Sequence, residues 1–288
     1  MPAPDGAPAA AAGEFALGGD LTVRRLGFGA MRITGQGIWG EPPDRDGALA
    51  VLRRAVELGV NLIDTADSYG PEVSEELIAE ALHPYPEDLV IATKGGLTRP
   101  GPGRWEPDCR PERLKRCCED SLRRLRVDRI DLYQLHTIDP KVPYADSIGA
   151  LAELREEGKI RHVGISNVGR RQLEEARSIV PVVSIQNRYS MTARDSEQVL
   201  QACESDGLGF IPWFPLDAGR VEGGPIGDVA RAHDATPMQV ALAWLLEHSS
   251  VMLPIPGTSS VAHLEENVAA ASLELSGDEH ERLVELAE

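Results

Sequence analysis

The run Asp64-Thr65-Ala66-Asp67-Ser68-Tyr69 closes an apolar, strand-like segment and sets a carboxylate and a phenol together in the loop that follows. Two further segments repeat that layout. Val90-Ile91-Ala92-Thr93-Lys94-Gly95-Gly96 ends an apolar run on a lysine, and Ile130-Asp131-Leu132-Tyr133-Gln134-Leu135-His136 ends another on a histidine. Four ionisable groups, Asp64, Tyr69, Lys94 and His136, thus stand at matching ends of successive strands. Each has an ordinary reading by itself: a snorkelling lysine, a satisfied core histidine, a loop aromatic. An ammonium at the end of an apolar strand nevertheless needs a carboxylate or an acceptor beside it, because burying it alone is costly. The joint pattern points to chemistry.

Outward from these segments, strand-like runs fall at 26–29, 60–64, 89–94, 130–136, 162–167, 183–186, 210–214 and 252–255. Helical periodicity fills the gaps at 46–58, 74–82, 111–125, 145–157, 170–179, 195–205 and 237–247, with a terminal helix at 276–288. Pro111 and Pro237 suit first-turn positions, and Gly59, Gly158 and Gly207 suit C-terminal caps. About eight such alternations predict an α/β fold closed as a (β/α)8 TIM barrel, although an open doubly wound sheet shares the periodicity. Residues 15–25, turning at Gly18-Gly19-Asp20, read as a hairpin before the first barrel strand. Residues 1–13, rich in Ala, Pro and Gly, read as a disordered tail, and 14–288 as a single domain.

Composition narrows the function classes. The chain of 288 residues is 42% hydrophobic, enough for a sizeable core, and no apolar run approaches the roughly 20 residues that span a bilayer. The start lacks the basic residues and long apolar centre of a secretory signal, so a cytoplasmic protein is expected. Cys109, Cys117, Cys118 and Cys203 show no Cys-x-x-Cys spacing and suit free thiols in a reducing compartment. A formal net charge of −17 argues against nucleic acid and anionic membranes as partners. It also means that a phosphorylated cofactor has to be captured by local donors. Oligomeric state is left open, and a monomer is compatible with the sequence.

One competing motif fails on context. Gly35-Gln36-Gly37-Ile38-Trp39-Gly40 matches the G-x-G-x-x-G dinucleotide fingerprint, but its third glycine should open a helix, and Glu41-Pro42-Pro43 follows instead. The segment reads as a flexible substrate loop.

The ordered set Asp64, Tyr69, Lys94, His136 resembles the active site of the aldo-keto reductases. Further segments carry the resemblance from about Leu17 to the C-terminus: Gly164-Ile165-Ser166-Asn167, Gln186-Asn187, Pro215-Leu216, and Ile255-Pro256-Gly257-Thr258 through Glu266-Asn267. It implies NADPH-dependent reduction of an aldehyde or ketone, with NADH as the alternative donor and a hairpin covering the barrel bottom. By the same resemblance Ser166, Asn167 and Gln186 hold the nicotinamide carboxamide, and Gly29, Ala30, Met31 and Asp64 are further cofactor contacts. Trp213 stands where the family usually has a ring-stacking tyrosine, followed by Phe214, Pro215 and Leu216. Gly257, Thr258, Ser259, His263, Glu266 and Asn267 match the segment around the adenosine 2'-phosphate. Many members carry a basic residue near Gly257 or Ser259, and this chain does not.

The residue types fit that chemistry. Hydride transfer to a carbonyl builds negative charge on oxygen, which a positioned proton donor must neutralise. A phenol, with a pKa of roughly 10, donates reluctantly unless a cation stabilises its phenolate. Tyr69 is the expected donor, Lys94 the cation, Asp64 its counter-ion, and His136 the group that orients the carbonyl. Trp39, Trp105, Phe214 and Leu216, with Tyr69 and His136, are expected to form the substrate pocket for a flat or apolar carbonyl compound.

Local strings such as Trp39-Gly40-Glu41-Pro42-Pro43-Asp44-Arg45 and Trp213-Phe214-Pro215-Leu216 are similar to a bacterial branch of pyridoxal reductase-like members, which implies reduction of pyridoxal to pyridoxine. Reduction of larger ketones is the alternative, as is a cofactor-binding regulatory barrel like the potassium-channel beta subunits. A phosphate-sugar isomerase or a Schiff-base aldolase on Lys94 is a further reading of the same architecture.

Overall fold

The computed structural model describes residues 6–215 and 224–284. Eleven strands are found among them: β1 (Glu14–Leu17), β2 (Leu21–Arg24), β3 (Phe28–Gly29), β4 (Leu62–Asp64), β5 (Val90–Gly95), β6 (Leu97–Gly101), β7 (Arg104–Pro107), β8 (Ile130–Leu135), β9 (Ile160–Ser166), β10 (Val182–Arg188) and β11 (Gly209–Trp213). Seven of these form one parallel sheet in the order β11-β10-β9-β8-β5-β4-β3.

The run expected as an eighth strand, 252–255, is not a regular strand, yet it closes the ring. Phe210 N–H donates to Val251 O at 2.8 Å and Leu253 N–H to Phe210 O at 2.8 Å, which joins it to β11. On its other side Gly27 N–H reaches Pro254 O at 2.9 Å and Gly29 N–H reaches Pro256 O at 3.3 Å. Pro254 and Pro256 have no N–H to return, so a continuous ladder cannot form there.

Helices pack outside the ring: α1 (Arg45–Glu57), α2 (Val73–Leu82), α3 (Pro111–Leu125), α4 (Tyr144–Glu156), α5 (Arg170–Arg177), α6 (Glu197–Asp206), α7 (Gly224–Ala232), α8 (Pro237–His248), α9 (Val261–Ala269) and α10 (Gly277–Val284). Pro111 and Pro237 occupy first turns as predicted, and Thr236 with Gln239 forms a capping box at α8. Gly207 caps α6 in the left-handed conformation. The short helix α7 was not foreseen.

Two differences from the sequence reading have local causes. The stretch expected as a disordered tail is ordered in its second half: Pro8–Ala12 form a 3-10 turn, Ala7, Ala9 and Ala12 are buried, and Ala9 N–H donates to Leu58 O at 3.0 Å. Small side chains let this turn lie flat against the end of α1. Met1–Asp5 lie outside the described residues. Residues 97–107, dense in Pro and Gly, are not plain loop but the antiparallel pair β6–β7.

The β1–β2 hairpin plugs the barrel. Leu17, Leu21 and Val23 cluster with Leu62, Val90, Ala92, Leu132, Ile211 and Leu253 from inside the ring. Gly18 makes this approach possible, since it sits at φ +61 and a Cβ there would fall 2.4 Å from the His162 ring. Asp20 then bonds His162 at 2.6 Å and Arg161 at 2.7 Å, pinning the turn to β9.

Candidate active site

Strand periodicity delivers the four ionisable groups. Side chains alternate along a strand, so Val90 and Ala92 inside the ring make Lys94 the next inward residue of β5. Leu62 does the same for Asp64 on β4, and Leu132 for Gln134 and then His136 at the end of β8. Tyr69 comes from the loop after β4, which is held by Asp67 N–H on Lys94 O at 3.2 Å and by Tyr69 N–H on Ala66 O at 3.2 Å.

These groups form one hydrogen-bonded network. Lys94 Nζ donates to Asp64 Oδ1 at 2.5 Å, to Thr65 O at 2.7 Å and to Tyr69 OH at 3.4 Å. The second Asp64 oxygen accepts from Gln186 Nε2 at 2.8 Å and from Gln134 Nε2 at 3.1 Å. Lys94 is fully buried, and Tyr69 and His136 keep 7% and 8% of their surface exposed, enough to meet a small molecule. Their rings pack edge to face with centroids 5.8 Å apart, and Ser68 Oγ lies 3.4 Å from His136 Nδ1. The network sits at the floor of a cavity of about 750 Å³ on the C-terminal side of the strands. That volume suits a cofactor-sized ligand.

A model of the Aldo/keto reductase family matches residues 25–288. The chain belongs to the aldo/keto reductase family. Its members are oxidoreductases that reduce carbonyl compounds. This aldo/keto reductase is 52% identical over 269 residues to an uncharacterized oxidoreductase of Schizosaccharomyces pombe, covering 93% of this chain and 88% of that one. It is 45% identical over 265 residues to pyridoxine 4-dehydrogenase of Escherichia coli, covering 90% and 93%. Among solved structures, an aldo/keto reductase from Klebsiella pneumoniae in complex with NADP and acetate superposes with a TM-score of 0.81 at 28% identity, over 95% of this chain and 94% of that one.

The electrostatics of the aldo/keto reductase site follow from burial and from the single strong ion pair. Burial pulls the Lys94 ammonium down, but the charge of Asp64 and the bonds to it and Tyr69 outweigh this, and the pKa ends raised. Burial pushes the Tyr69 phenol up against the opposing pull of Lys94, so the resting side chain is a protonated phenol. Lys94 does pull the phenol down, as its place beside Tyr69 leads one to expect, but desolvation outweighs that pull in the resting site. Burial, with Lys94 nearby, holds His136 well below the usual imidazole range, and the ring is neutral.

Most of the residues expected to hold cofactor do line the cavity: Gly29, Met31, Asp64, Ser166, Asn167, Gln186, Trp213, Phe214, Pro215 and Gly257. Several are bonded to one another. Ser166 Oγ donates to Gln186 O at 2.7 Å, Asn167 Nδ2 to His136 O at 2.9 Å, and Trp213 Nε1 to Asn167 Oδ1 at 3.0 Å. Asn167 and Phe214 adopt positive φ, 59 and 61, which turns the chain sharply at two strand ends. Gly29 and Gly257 pass so closely that a Cβ on Gly257 would lie 2.5 Å from Gly29 O.

Other expected contacts are not brought to the cavity. Ala30 is buried behind it, and Thr258, Ser259, His263, Glu266 and Asn267 do not line it. Thr258 Oγ1 accepts from Ser260 N–H at 3.1 Å, and Glu266 accepts from the Thr236 hydroxyl at 2.7 Å to fasten α8. Ser259 and His263 are exposed at the start of α9, beyond Gly257. Leu216 lies outside the described residues. Trp39 also stands off the cavity, stacked 5.6 Å from the Arg99 guanidinium. Its loop is not the free one expected: Gly35 N–H bonds Gly40 O at 2.9 Å, and Arg99 donates to Gly37 O and Ile38 O.

Sequence reasoning missed Gln134, Ser68, Arg32, Leu97, Thr137 and Met238. Gln134 was legible in principle, as the inward residue between Leu132 and His136. Arg32 lines the cavity, and its Cγ lies where a Cβ on Gly257 would be 3.5 Å away. A basic group thus stands near Gly257 after all, supplied by the 3-10 turn Ala30–Ile33, far away in sequence.

Proposed function

We propose that this aldo/keto reductase reduces an aldehyde or ketone to an alcohol with NADPH, that Tyr69 is the proton donor, and that pyridoxal is a substrate. The observation that carries the reading is the buried contact series Asp64–Lys94–Tyr69 beside a neutral His136 at one cavity floor. NADPH supplies the hydride, and the Trp213 ring, the amides of Asn167 and Gln186 and the Arg32 cation are of the types needed to hold its nicotinamide and a phosphate. As the carbonyl carbon accepts the hydride, the π electrons move to oxygen and the Tyr69 proton neutralises it. A buried phenol keeps that proton across the neutral range, and Lys94 at 3.4 Å stabilises the phenolate left behind. His136, with Nδ1 turned to Ser68, offers its other ring nitrogen to the substrate oxygen and orients the carbonyl. Asp64 keeps Lys94 charged and in place.

Support for pyridoxal comes from the likeness to pyridoxine 4-dehydrogenase and from the aromatic cavity wall. Incubating pyridoxal with NADPH and following nicotinamide absorbance tests it; turnover of other aldehydes but not of pyridoxal would remove that substrate. Tyr69→Phe should lower kcat by about 10²–10⁴-fold, the usual worth of a general acid, while NADPH affinity measured by fluorescence quenching stays the same. Full activity in that variant would end the assignment. A lower Michaelis constant for NADH than for NADPH would remove the phosphate claim.

A further inference from the structure

Arg99 is 8% exposed, and its four hydrogen bonds all go to backbone carbonyls. Nε donates to Arg104 O at 3.0 Å, Nη1 to Ile38 O at 2.8 Å and to Ser68 O at 3.0 Å, and Nη2 to Gly37 O at 3.0 Å. One side chain therefore ties together the loop after β3, the loop after β4 and the β6–β7 hairpin. The guanidinium also lies 3.6 Å from the Trp105 ring centroid. That indole lines the substrate cavity and meets Tyr69 and His136 edge to face at 6.3 and 6.5 Å.

We propose that Arg99 is a positioning residue that fixes Trp105 as a rigid aromatic wall and so makes the enzyme prefer flat aromatic carbonyl compounds over small aliphatic ones. The inference rests on the reading of this site as a carbonyl reductase and adds the device that selects its substrate. A tryptophan on a Pro- and Gly-rich hairpin has rotamer freedom to lose when a substrate stacks on it. Packed from behind by a cation and braced from the side by two rings, Trp105 has lost that freedom before binding, and the aromatic substrate gains what is not spent on ordering. A small aliphatic aldehyde covers little of the wall and is indifferent to it. Lysine cannot replace Arg99, because one ammonium provides neither the planar face for Trp105 nor a fork spanning carbonyls of two loops and a hairpin. Arg99 also holds the carbonyl of Ser68, whose hydroxyl faces His136, so the discriminating quantity is a ratio between substrates.

The test compares kcat/KM for benzaldehyde and propanal with NADPH in the full-length enzyme, Arg99→Lys, Arg99→Ala, Trp105→Leu and the double variant Arg99→Lys/Trp105→Leu. The unaltered enzyme should favour benzaldehyde. Arg99→Lys should cut that preference by about 10–100-fold, chiefly through KM, in line with the cost of misplacing a substrate-positioning group, with NADPH affinity by fluorescence quenching unchanged. Trp105→Leu should lose the same preference, and the double variant should lose no more than either single one, since both remove one interaction. Arg99 borders a second, polar cavity of about 370 Å³, which gives a free guanidinium ion access to the vacated position. Guanidinium should therefore restore benzaldehyde preference to Arg99→Ala, and ammonium at equal ionic strength should not.

Equal losses for both aldehydes, additive single variants, or a Trp105→Leu enzyme with undiminished preference would overturn the proposal, the last even if no Arg99 variant folds. Turnover of pyridoxal but not of benzaldehyde by the unaltered enzyme would overturn it as well, whereas absence of turnover of pyridoxal, benzaldehyde and propanal alike would instead remove the reductase reading beneath it.

Discussion

Asp67 stands two residues before Tyr69, and its carboxyl is buried with Oδ1 lacking a hydrogen-bond partner in the described structure. Burial, reinforced by the charge of Glu75, pushes its pKa up to about 7. From about pH 4, where an unfolded aspartate loses its proton, to about pH 7, the folded chain holds a proton that the unfolded chain has released. Stability from this group accordingly falls as pH rises through that window. Asp67→Asn should raise stability above neutral pH by a few kcal/mol at most, on the order of 2–4 from the size of the shift, and much less near pH 4. Denaturant melts at the two pH values measure this; a gain independent of pH would rule the explanation out. The neighbouring groups act on rate. With Tyr69 raised and His136 lowered, aldehyde reduction should stay level through neutral pH and decline only in the alkaline range, where the phenol deprotonates. A profile stepping near the ordinary imidazole pKa, and still doing so in Asp67→Asn, would contradict the neutral His136.

At the level of elements, the 3-10 turn Pro8–Ala12 shows how alanines create structure that hydrophobicity patterns overlook. Ala9 is wholly buried, and a Cβ on Gly59 would lie 2.5 Å from that of Ala7, so the surfaces are matched atom to atom. Arg25 adds bonds to Ala12 O and Ser249 O, joining the turn to the end of α8. Ala9→Asp, which buries an unpaired carboxylate, should lower stability by about 2–4 kcal/mol without changing kcat. Thermal melts alongside steady-state assays check it, and an unchanged midpoint would mean that the turn is not docked in solution. The segment 251–256 carries the complementary lesson. Its apolar pattern was readable as a strand, but Pro254 and Pro256 interrupt the ladder and leave it two hydrogen bonds on either side. The β6–β7 hairpin was hidden by proline and glycine, which mark turns reliably but do not reveal that the flanking residues pair.

At the scale of the whole molecule, the net charge of −17 leaves an excess of carboxylates that ion pairing cannot neutralise. Self-repulsion of the folded chain is long-ranged and therefore screened by salt, whereas the buried Lys94–Asp64 pair is not. The melting temperature should rise from low to near-physiological ionic strength while kcat for aldehyde reduction changes little. A falling melting temperature would show that exposed ion pairs outweigh the repulsion.

The alternation of apolar runs and helical stretches gave the α/β class, with closure into a barrel left open against a doubly wound sheet, and strand-end positions put Asp64, Lys94 and His136 on one side of the sheet, because both depend on short-range periodicity. Which groups complete the site was decided only in three dimensions. Gln134 and Gln186 meet on one carboxylate oxygen across 52 residues of chain. Arg32 arrives beside Gly257, and Arg99 gathers two loops and the β6–β7 hairpin. The balance of burial over charge at Tyr69 is likewise a property of the packed interior. A linear pattern records which way a side chain points along its own strand; it does not record what the ring closure brings opposite.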